Sequence, residues 1–355
     1  MVPVIALAAL LAVPSVPGTD IDLSVPYAAE GEGPTYDTLG EVNGTPVVDI
    51  TGTQADLEET SGQLNMTTVA VRTKLSLAEA MRRWLATDDT LVPVEQVIPS
   101  DSTPEEVALR NAQAFAASES NATVAAMAHL GRPLETTVYE LSEGAPADGI
   151  LRENDVITAV DDTEVTVPAD VAKTIAGYSP GDEVELTVNR GSEELTEKVT
   201  LGEVPEELQG TSGTAEDAGA SEGAYLGVTM VAQPAGDLKV RYNLKDIGGP
   251  SAGLMFSLAV VDKLSPGELT GGKFVAGTGT ISASGSVGSI GGITHKIAAA
   301  QGAGAEVFLV PDGNCAEAAS RSYDGDIDLL KVDSLEGAVD ALEAYSNGED
   351  APTCG

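Results

Sequence analysis

Histidine and basic side chains are scarce in this chain of 355 residues. Its two histidines, His129 and His295, leave few imidazoles for a site that needs a base near neutral pH. Lysine and arginine together number 18 against 56 aspartates and glutamates, which gives a formal charge of −38. Such a charge repels nucleic acid and anionic lipid, so the composition excludes a nucleic-acid partner. The length predicts two or three domains.

Cysteine is equally rare, and neither cysteine has a neighbour at metal-binding spacing. Cys315 follows a predicted strand, and Cys354 is the penultimate residue. They lack C-x-x-C or histidine spacing, so we predict no metal site and no cofactor. A disulfide between them would pin the C-terminal tail to the preceding domain and would fit a compartment outside the cytoplasm. Two unrelated thiols are the alternative.

Near its start the chain has an apolar run that is short for a membrane span, which needs about 20 residues. Val2–Val13 is almost continuously apolar, but Pro3 interrupts it and Pro14 and Pro17 follow it. We interpret residues 1–17 as a membrane anchor, with a cleaved signal segment as the alternative. The anchor predicts a protein on the cell membrane with its bulk outside the cytoplasm, and the signal predicts secretion.

Glycine is plentiful, and two glycine-rich turns precede predicted helices. The first turn reads G-G-P-S-A-G at 248–253. A core helix is predicted at Leu254–Leu264, because apolar residues recur there at three- and four-residue spacing. Ser251 therefore lies at the N-terminus of a buried helix, where free N–H groups and the helix dipole favour a developing negative charge. This arrangement suits an oxyanion hole.

The second glycine turn, at 288–292, leads into an alanine-rich helix that contains Lys296. A lysine acts as a base only when it is neutral, so its pKa must fall from about 10.4 towards the working pH. A fall of roughly 3 units costs about 4 kcal/mol, so we expect an apolar shell around the amine. The neighbouring His295 would point about 100° away on a helix, and we interpret it as a surface or supporting residue.

The motifs G-G-P-S-A-G at 248–253, A-G-T-G-T-I at 276–281 and V-G-S-I-G-G-I-T-H-K at 287–296 resemble the proteolytic domain of the Lon family. The resemblance covers about 225–344. It implies that Ser251 is the nucleophile, that Lys296 is the general base, and that Thr278 helps to orient the lysine. Backbone amides around Ser251 and Ala252 would then hold the oxyanion.

Between about 122 and 201 the pattern changes to short strands and turns, with a helix near 169–176 and a strand at 184–188. This segment resembles a PDZ domain of the bacterial protease type. The resemblance implies that an extended peptide adds to a sheet edge and that backbone amides receive its terminal carboxylate. Leu130 and Gly131 fall where the carboxylate loop of that family lies, and a simple turn is the alternative.

Helices alternate with strands, so the predicted fold class is α+β, or mixed α/β, with a Lon-type proteolytic domain and a small β-rich PDZ domain. After residues 1–17, the predicted divisions are an N-terminal αβ scaffold region at 18–121, a PDZ domain at 122–204, a flexible acidic linker at 205–223 and the proteolytic domain at 224–355. We find no chemistry in the scaffold region. The resemblance to PDZ-containing Lon-like bacterial proteases implies that it packs beside the proteolytic domain.

These observations predict an ATP-independent serine endopeptidase outside the cytoplasm, with a PDZ domain that binds or presents polypeptides. A G-x-x-x-x-G-K spacing begins at Gly267, but Phe274 stands where a phosphate-binding loop has its magnesium-binding hydroxyl, so no nucleotide partner is predicted. The alternatives are a non-catalytic PDZ peptide-binding scaffold and a signal-peptidase-like processing enzyme, whose motifs are not apparent. The Lon resemblance also implies a homo-oligomeric ring, such as a hexamer.

Overall fold

The computed structural model describes residues 11–16, 18–19, 21–52, 61–100, 102–205, 224–245, 247–321, 323 and 327–355. The chain forms two compact units. The first unit comprises 1–49, 57–122 and 242–355, and the second comprises 50–56 and 123–241. In chain order, the second unit is therefore inserted between segments of the first.

The elements are numbered in chain order. The strands are β1 Tyr27–Asp37, β2 Glu41–Val42, β3 Thr45–Pro46, β4 Val48–Thr51, β5 Gln63–Arg72, β6 Thr90–Pro93, β7 Leu134–Leu141, β8 Val156–Val160, β9 Thr163–Glu164, β10 Glu183–Arg190, β11 Glu193–Thr200, β12 Val228–Pro234, β13 Lys239–Tyr242, β14 Phe274–Gly277, β15 Thr280–Ile281, β16 Val287–Gly288, β17 Val307–Pro311 and β18 Asp328–Val332. The helices are α1 Leu77–Ala86, α2 Val94–Val97, α3 Pro104–His129, α4 Pro168–Ile175, α5 Gly253–Leu264, α6 Ile293–Ala303, α7 Cys315–Ala318 and α8 Leu335–Ser346.

The first unit is built on a six-stranded sheet in the order β18-β17-β14-β5-β1-β6. The strand β5 pairs in parallel with β14 and antiparallel with β1, so it joins the two halves of the sheet. All residues of β17, which reads V-F-L-V-P, are buried. A continuous apolar strand of this kind is typical of a parallel sheet that is covered on both faces.

Two helices of the first unit carry the predicted catalytic residues. In α5 every residue except Lys263 is buried, which agrees with its nearly continuous apolar sequence. The helix α6 packs against β1, β5 and β14. Its N-cap is Gly292 at φ +67°, and a Cβ there would come within 2.8 Å of Val69 Cγ2. Glycine is therefore required at the start of α6 by both backbone conformation and packing.

The second unit contains an antiparallel sheet in the order β11-β10-β8-β7-β12, with β9 paired to β8. The helix α4 packs beside β8 and β12. Alternating apolar residues of the strands, such as Val184, Leu186 and Val188, fill its core. Together the two units confirm the predicted α+β class.

The predicted domain boundaries differ from this packing in two places. The predicted scaffold region 18–121 is not a separate body beside the proteolytic domain, because β1, β5 and β6 belong to the same sheet as β14 and β17. Without β5, the strand β14 would present an unpaired edge. The second difference concerns 224–241, which belongs to the second unit because β12 pairs with β7.

Two predicted segments lie largely outside the described residues. These are the anchor or signal at 1–17, of which only 11–16 are described, and the linker at 205–223, of which only Pro205 is described. Across the described part of the chain, none of the helices combines the length and the apolar character needed to cross a membrane.

Candidate active site and peptide-binding edge

The turn at 248–252 carries Ser251 to the start of α5. Gly249 has φ +86°, a left-handed conformation that favours glycine, and its N–H donates to the Asn111 carbonyl at 2.8 Å. Ser251 is partly exposed, whereas the next residue, Ala252, is buried. The turn thus presents the serine hydroxyl while its backbone is held by α3.

The side chain of Lys296 reaches this serine from α6. Its Nζ atom lies 3.0 Å from Ser251 Oγ and donates to the Thr67 carbonyl at 2.7 Å. Lys296 is 3% exposed, and burial lowers its pKa to about 8. The amine therefore has the desolvated surroundings that a lysine base requires, and a substantial neutral fraction is available at mildly alkaline pH.

Thr67 was not among the sequence-predicted site residues. It belongs to β5, in the region where the sequence shows no chemistry, and it acts through its backbone carbonyl. Its hydroxyl donates to the Gly277 carbonyl at 3.1 Å, which holds β5 against β14. A carbonyl is common to all residue types, so no sequence motif could have identified it.

Thr278 contacts a different group from the one predicted. Its hydroxyl donates to the Ser251 carbonyl at 3.0 Å, and the Gly279 N–H donates to the same oxygen at 2.9 Å. The orienting contact of Lys296 comes from Thr67 instead. Thr278 reaches this carbonyl because the segment after β14 runs beside the turn at 248–252, which is called the nucleophile turn below.

Two backbone amides at the nucleophile are available for an oxyanion. Within the described residues, the N–H groups of Ser251 and Ala252 donate to no protein acceptor. The N–H of Leu254, the second residue of α5, already donates to the Gly279 carbonyl at 3.1 Å. The two free donors lie at the N-terminal end of α5, where the dipole adds a favourable potential.

A cavity of about 610 Å³ opens over these groups. Met66, Phe115 and Ile290 contribute apolar walls, and Ser251 and Lys296 lie at its polar side. Lys296 is the one charged side chain among the described residues that line it. The cavity therefore has apolar walls on one side and the hydroxyl and amine of Ser251 and Lys296 on the other.

His295 lies away from this pair, as the helix geometry predicts. It is 2% exposed, and its Nε2 lies 3.0 Å from Thr90 Oγ1. The surface alternative is therefore wrong, because α6 packs this side of the helix onto the sheet. His129 is exposed in the second unit.

The predicted carboxylate loop of the PDZ-like segment has another role. The Leu130 N–H donates to the Ala126 carbonyl at 3.0 Å, and the Gly131 N–H donates to the Ala128 carbonyl at 3.1 Å. These bonds close the C-terminal turn of α3, so neither amide is available to a peptide carboxylate.

A better candidate precedes β12, which is the edge strand of its sheet. In the part of the chain that the structure describes, the N–H groups of Leu226 and Gly227 have no protein acceptor. Gly227 has φ +81°, and a Cβ there would come within 2.2 Å of Ala145 Cβ. The sequence pattern places this segment at the start of the proteolytic domain, so these amides were not among the predicted site residues. Its signal is a glycine directly before an alternating strand.

Cys315 and Cys354 form a disulfide in the first unit. The bond attaches the C-terminal tail beside β18, where the Cys354 N–H donates to the Leu329 carbonyl at 3.0 Å. Among the described residues there is no cluster of histidine, cysteine or acidic side chains that could hold a metal ion.

Comparison with protein families identifies both halves of this arrangement. Residues 240–342 match the family model of the Lon protease (S16) C-terminal proteolytic domain, and residues 109–201 match that of the PDZ domain. The chain therefore combines the two domain types that its motifs predict. The Lon match does not include β1, β5 and β6, although these strands complete the same sheet.

Curated relatives match over shorter stretches. The chain is 33% identical over 115 residues to a "Probable periplasmic serine endoprotease DegP-like" of Ectopseudomonas mendocina, which covers 32% of this chain and 24% of that protein. A protein of the same name from Halomonas elongata is 33% identical over 90 residues, covering 25% and 19%. The chain thus spans less than a quarter of either relative.

Among solved structures, the PDZ domain of an SdrC-like protein from Listeria monocytogenes is similar to part of this chain. The match covers 27% of this chain and 85% of the solved chain, with 18% identity and a TM-score of 0.22.

Proposed function

We propose that this chain is a serine endopeptidase that uses Ser251 and Lys296 as a catalytic dyad and cleaves polypeptides without a nucleotide. The observation that carries the proposal is the buried Lys296 amine, 3.0 Å from the Ser251 hydroxyl and beside two free backbone amides. The match of residues 240–342 to a proteolytic domain supports it.

In the proposed reaction, the neutral lysine accepts a hydrogen bond from the Ser251 hydroxyl on its lone pair. One N–H remains on the Thr67 carbonyl, which aims the lone pair at the serine. As Ser251 Oγ bonds to the peptide carbonyl carbon, its proton passes to Lys296. The ammonium gives that proton to the leaving amine, and the C–N bond breaks to leave an acyl-enzyme. Lys296 then takes a proton from water, whose oxygen bonds to the acyl carbon. The bond from that carbon to Ser251 Oγ breaks, and the lysine returns the proton to Ser251 Oγ as the carboxylic acid product leaves.

Substitution of each member of the dyad tests the proposal in the purified full chain. With unfolded β-casein as substrate, we expect Ser251→Ala and Lys296→Met each to lower the cleavage rate by about a thousandfold or more. Disappearance of intact β-casein on gels measures the rate. Addition of ATP and magnesium should leave the wild-type rate unchanged.

The helix α5 offers a matched control for each member of the dyad. Ser257 is a buried serine of α5 whose hydroxyl donates to the Leu254 carbonyl at 2.8 Å. Lys263 is a partly buried lysine whose Nζ donates to the Val48 carbonyl at 2.8 Å, and burial lowers its pKa. Ser257→Ala and Lys263→Met should retain activity. Wild-type rates in Ser251→Ala would refute the proposal, and peptide binding without cleavage would favour the passive scaffold.

The second part of the proposal is that the inserted unit binds polypeptides along β12. A peptide strand would pair with the free edge of β12, and its terminal carboxylate would accept from the amides of Leu226 and Gly227. We expect a fluorescent peptide with a free C-terminus to bind more tightly than the same peptide with an amidated C-terminus. Equal affinity of the two peptides would contradict the carboxylate site.

We further propose that the protein works outside the cytoplasm. The Cys315–Cys354 disulfide supports this location, because disulfides persist in oxidising compartments. Membrane attachment through 1–17 and assembly into a ring stay predictions of the sequence. Fractionation of cells with detection of the full chain tests membrane attachment. The mass measured in solution by light scattering tests ring assembly.

A further inference from the structure

Two buried hydroxyl groups outside the dyad hold consecutive carbonyls of the nucleophile turn. Ser118 Oγ, on α3, donates to the Pro250 carbonyl at 2.9 Å. Thr278 Oγ1 donates to the Ser251 carbonyl at 3.0 Å, together with the Gly279 N–H. Ser118 is 3% exposed and Thr278 is 0% exposed, so neither bond is exchanged readily for one with bulk water.

These carbonyls determine where the free amides of the turn point. A carbonyl and the next N–H belong to one planar, trans peptide unit, and they point in opposite directions. Holding the Pro250 carbonyl therefore fixes the direction of the Ser251 N–H. Holding the Ser251 carbonyl likewise fixes the direction of the Ala252 N–H. These are the two amides that lack a protein acceptor in the described structure.

The packing around Ser118 leaves little room for its hydroxyl to move. A Cβ at Gly253 would come within 2.6 Å of both Ser118 Oγ and Ile281 Cγ2. Gly253 itself donates to the Pro250 carbonyl only at 3.5 Å, so the Ser118 bond is the shorter of the two. The absence of a side chain at Gly253 thus permits the contact that holds the Pro250 carbonyl.

We propose that Ser118 and Thr278 are positioning residues that aim the Ser251 and Ala252 amides at the oxyanion of the reaction. The proposal rests on the proposed endopeptidase function and gives Thr278 a role distinct from orienting the lysine. Donors that are fixed before the reaction need no reorganisation when charge develops. Removal of a whole oxyanion donor lowers kcat by about 10²–10³-fold, so a misaimed donor should cost about 10- to 100-fold.

The test compares hydroxyl-free variants of the full chain with variants that retain the hydroxyl. Thr278→Val and Ser118→Ala should each lower kcat for β-casein cleavage, with KM within about twofold of wild type. Thr278→Ser should recover most of the rate, and Ser257→Ala should match wild type. The pH midpoint of activity should be unchanged in all of them, because the Lys296 amine keeps its contacts. Thr278→Ala provides a second hydroxyl-free variant if Thr278→Val fails to fold.

The outcomes distinguish the positioning role of Ser118 and Thr278 from the proposed endopeptidase function. A shifted pH midpoint in Thr278→Val would show that Thr278 acts on the lysine and would overturn the assignment. Wild-type kcat in both Thr278→Val and Ser118→Ala, with Ser251→Ala inactive, would overturn the positioning role alone. Wild-type activity in Ser251→Ala would overturn the proposed function itself.

Discussion

The first unit buries the amine of Lys296 without a carboxylate, whereas in the second unit the partly buried Arg190 pairs with the buried carboxylate of Asp155. Arg190 donates through Nε and Nη2 to the two oxygens of Asp155, at 2.9 and 2.7 Å, and Asp155 is 1% exposed. In the first unit, Lys296 meets only neutral groups, the Thr67 carbonyl and the Ser251 hydroxyl. Within the described residues it forms no ion pair.

The comparison shows how the surroundings of a basic side chain decide its use. An arginine stays charged in any protein environment, and its bidentate contact with Asp155 ties the end of β10 to the residue before β8. An amine without a carboxylate loses solvation and gains no compensating charge, so its neutral form becomes accessible. The first arrangement serves structure, and the second suits the base that we propose, at the expense of stability.

The largest expected effect comes from breaking the pair in the second unit. Arg190→Met leaves the buried Asp155 carboxylate without a positive charge and with only the Arg152 N–H as a donor, so the free energy of unfolding should fall by about 3–5 kcal/mol. Hydrogen exchange of the β8 and β10 amides measures the loss. Slow exchange in β14 and β17 should persist. Unchanged exchange in β8 would mean that the pair is not structurally important.

A somewhat smaller effect is expected from the disulfide, which constrains only the first unit. The bond closes a loop with a sequence separation of 39 residues. Its removal in Cys315→Ser with Cys354→Ser should lower the free energy of unfolding by about 3 kcal/mol. Exchange should accelerate in β17 and β18 and stay unchanged in β10. Urea unfolding of the oxidised and reduced wild type provides the control.

Removal of the Lys296 amine, which has no ion-pair partner, should raise the free energy of unfolding instead of lowering it. Lys296→Met eliminates the cost of burying an ammonium group, about 3 kcal/mol for this lowered pKa, but leaves the Thr67 carbonyl without its donor. At pH 7 it should therefore stabilise the chain by about 2 kcal/mol while abolishing activity. The folded pKa of about 8 lies below the ordinary value of 10.5, so wild-type stability should rise with pH between these values. The variant should lack that rise. Urea unfolding of the wild type and of Lys296→Met at pH 7 and pH 10 measures both effects. A lower free energy of unfolding in Lys296→Met than in the wild type at pH 7 would contradict this account.

The smallest effect is the pH dependence of the rate. Since the neutral amine is the proposed base and its pKa is about 8, kcat/KM should increase about tenfold per pH unit below 8 and level off above it. His295→Gln should keep the same midpoint, because His295 bonds to Thr90 rather than to the serine. A midpoint that moves in this variant would point to the histidine as the base.

The sequence indicated the proposed pair, Ser251 and Lys296, because local backbone requirements mark it. Gly249 lies two residues before Ser251 and Gly292 is the N-cap of α6, and both adopt positive φ values, as the glycine-rich motifs around Ser251 and Lys296 require. Such a requirement constrains the residue type at one position and is therefore visible in the sequence. The apolar strand β17 and the buried helix α5 were predictable for the same reason, since their patterns are local.

Other parts of the site could not be predicted because they depend on contacts between distant segments. The carbonyl of Thr67 and the hydroxyl of Ser118 lie in a region that shows no motif, and the fold brings them to the dyad through β5 and α3. The role of Leu130 and Gly131 was misjudged because the sequence did not reveal where α3 ends.

The sequence by itself determined which side chains are the candidates for catalysis and which helices present them, since glycine conformation and apolar periodicity are local properties. Only the tertiary structure decided that β5 completes the proteolytic sheet, that β12 belongs to the inserted unit, and which carbonyls and hydroxyls surround Ser251 and Lys296. Strand pairing and burial join residues that are far apart in the chain. The lowered pKa of Lys296 is the clearest case, because desolvation exists only once the chain has folded around the amine.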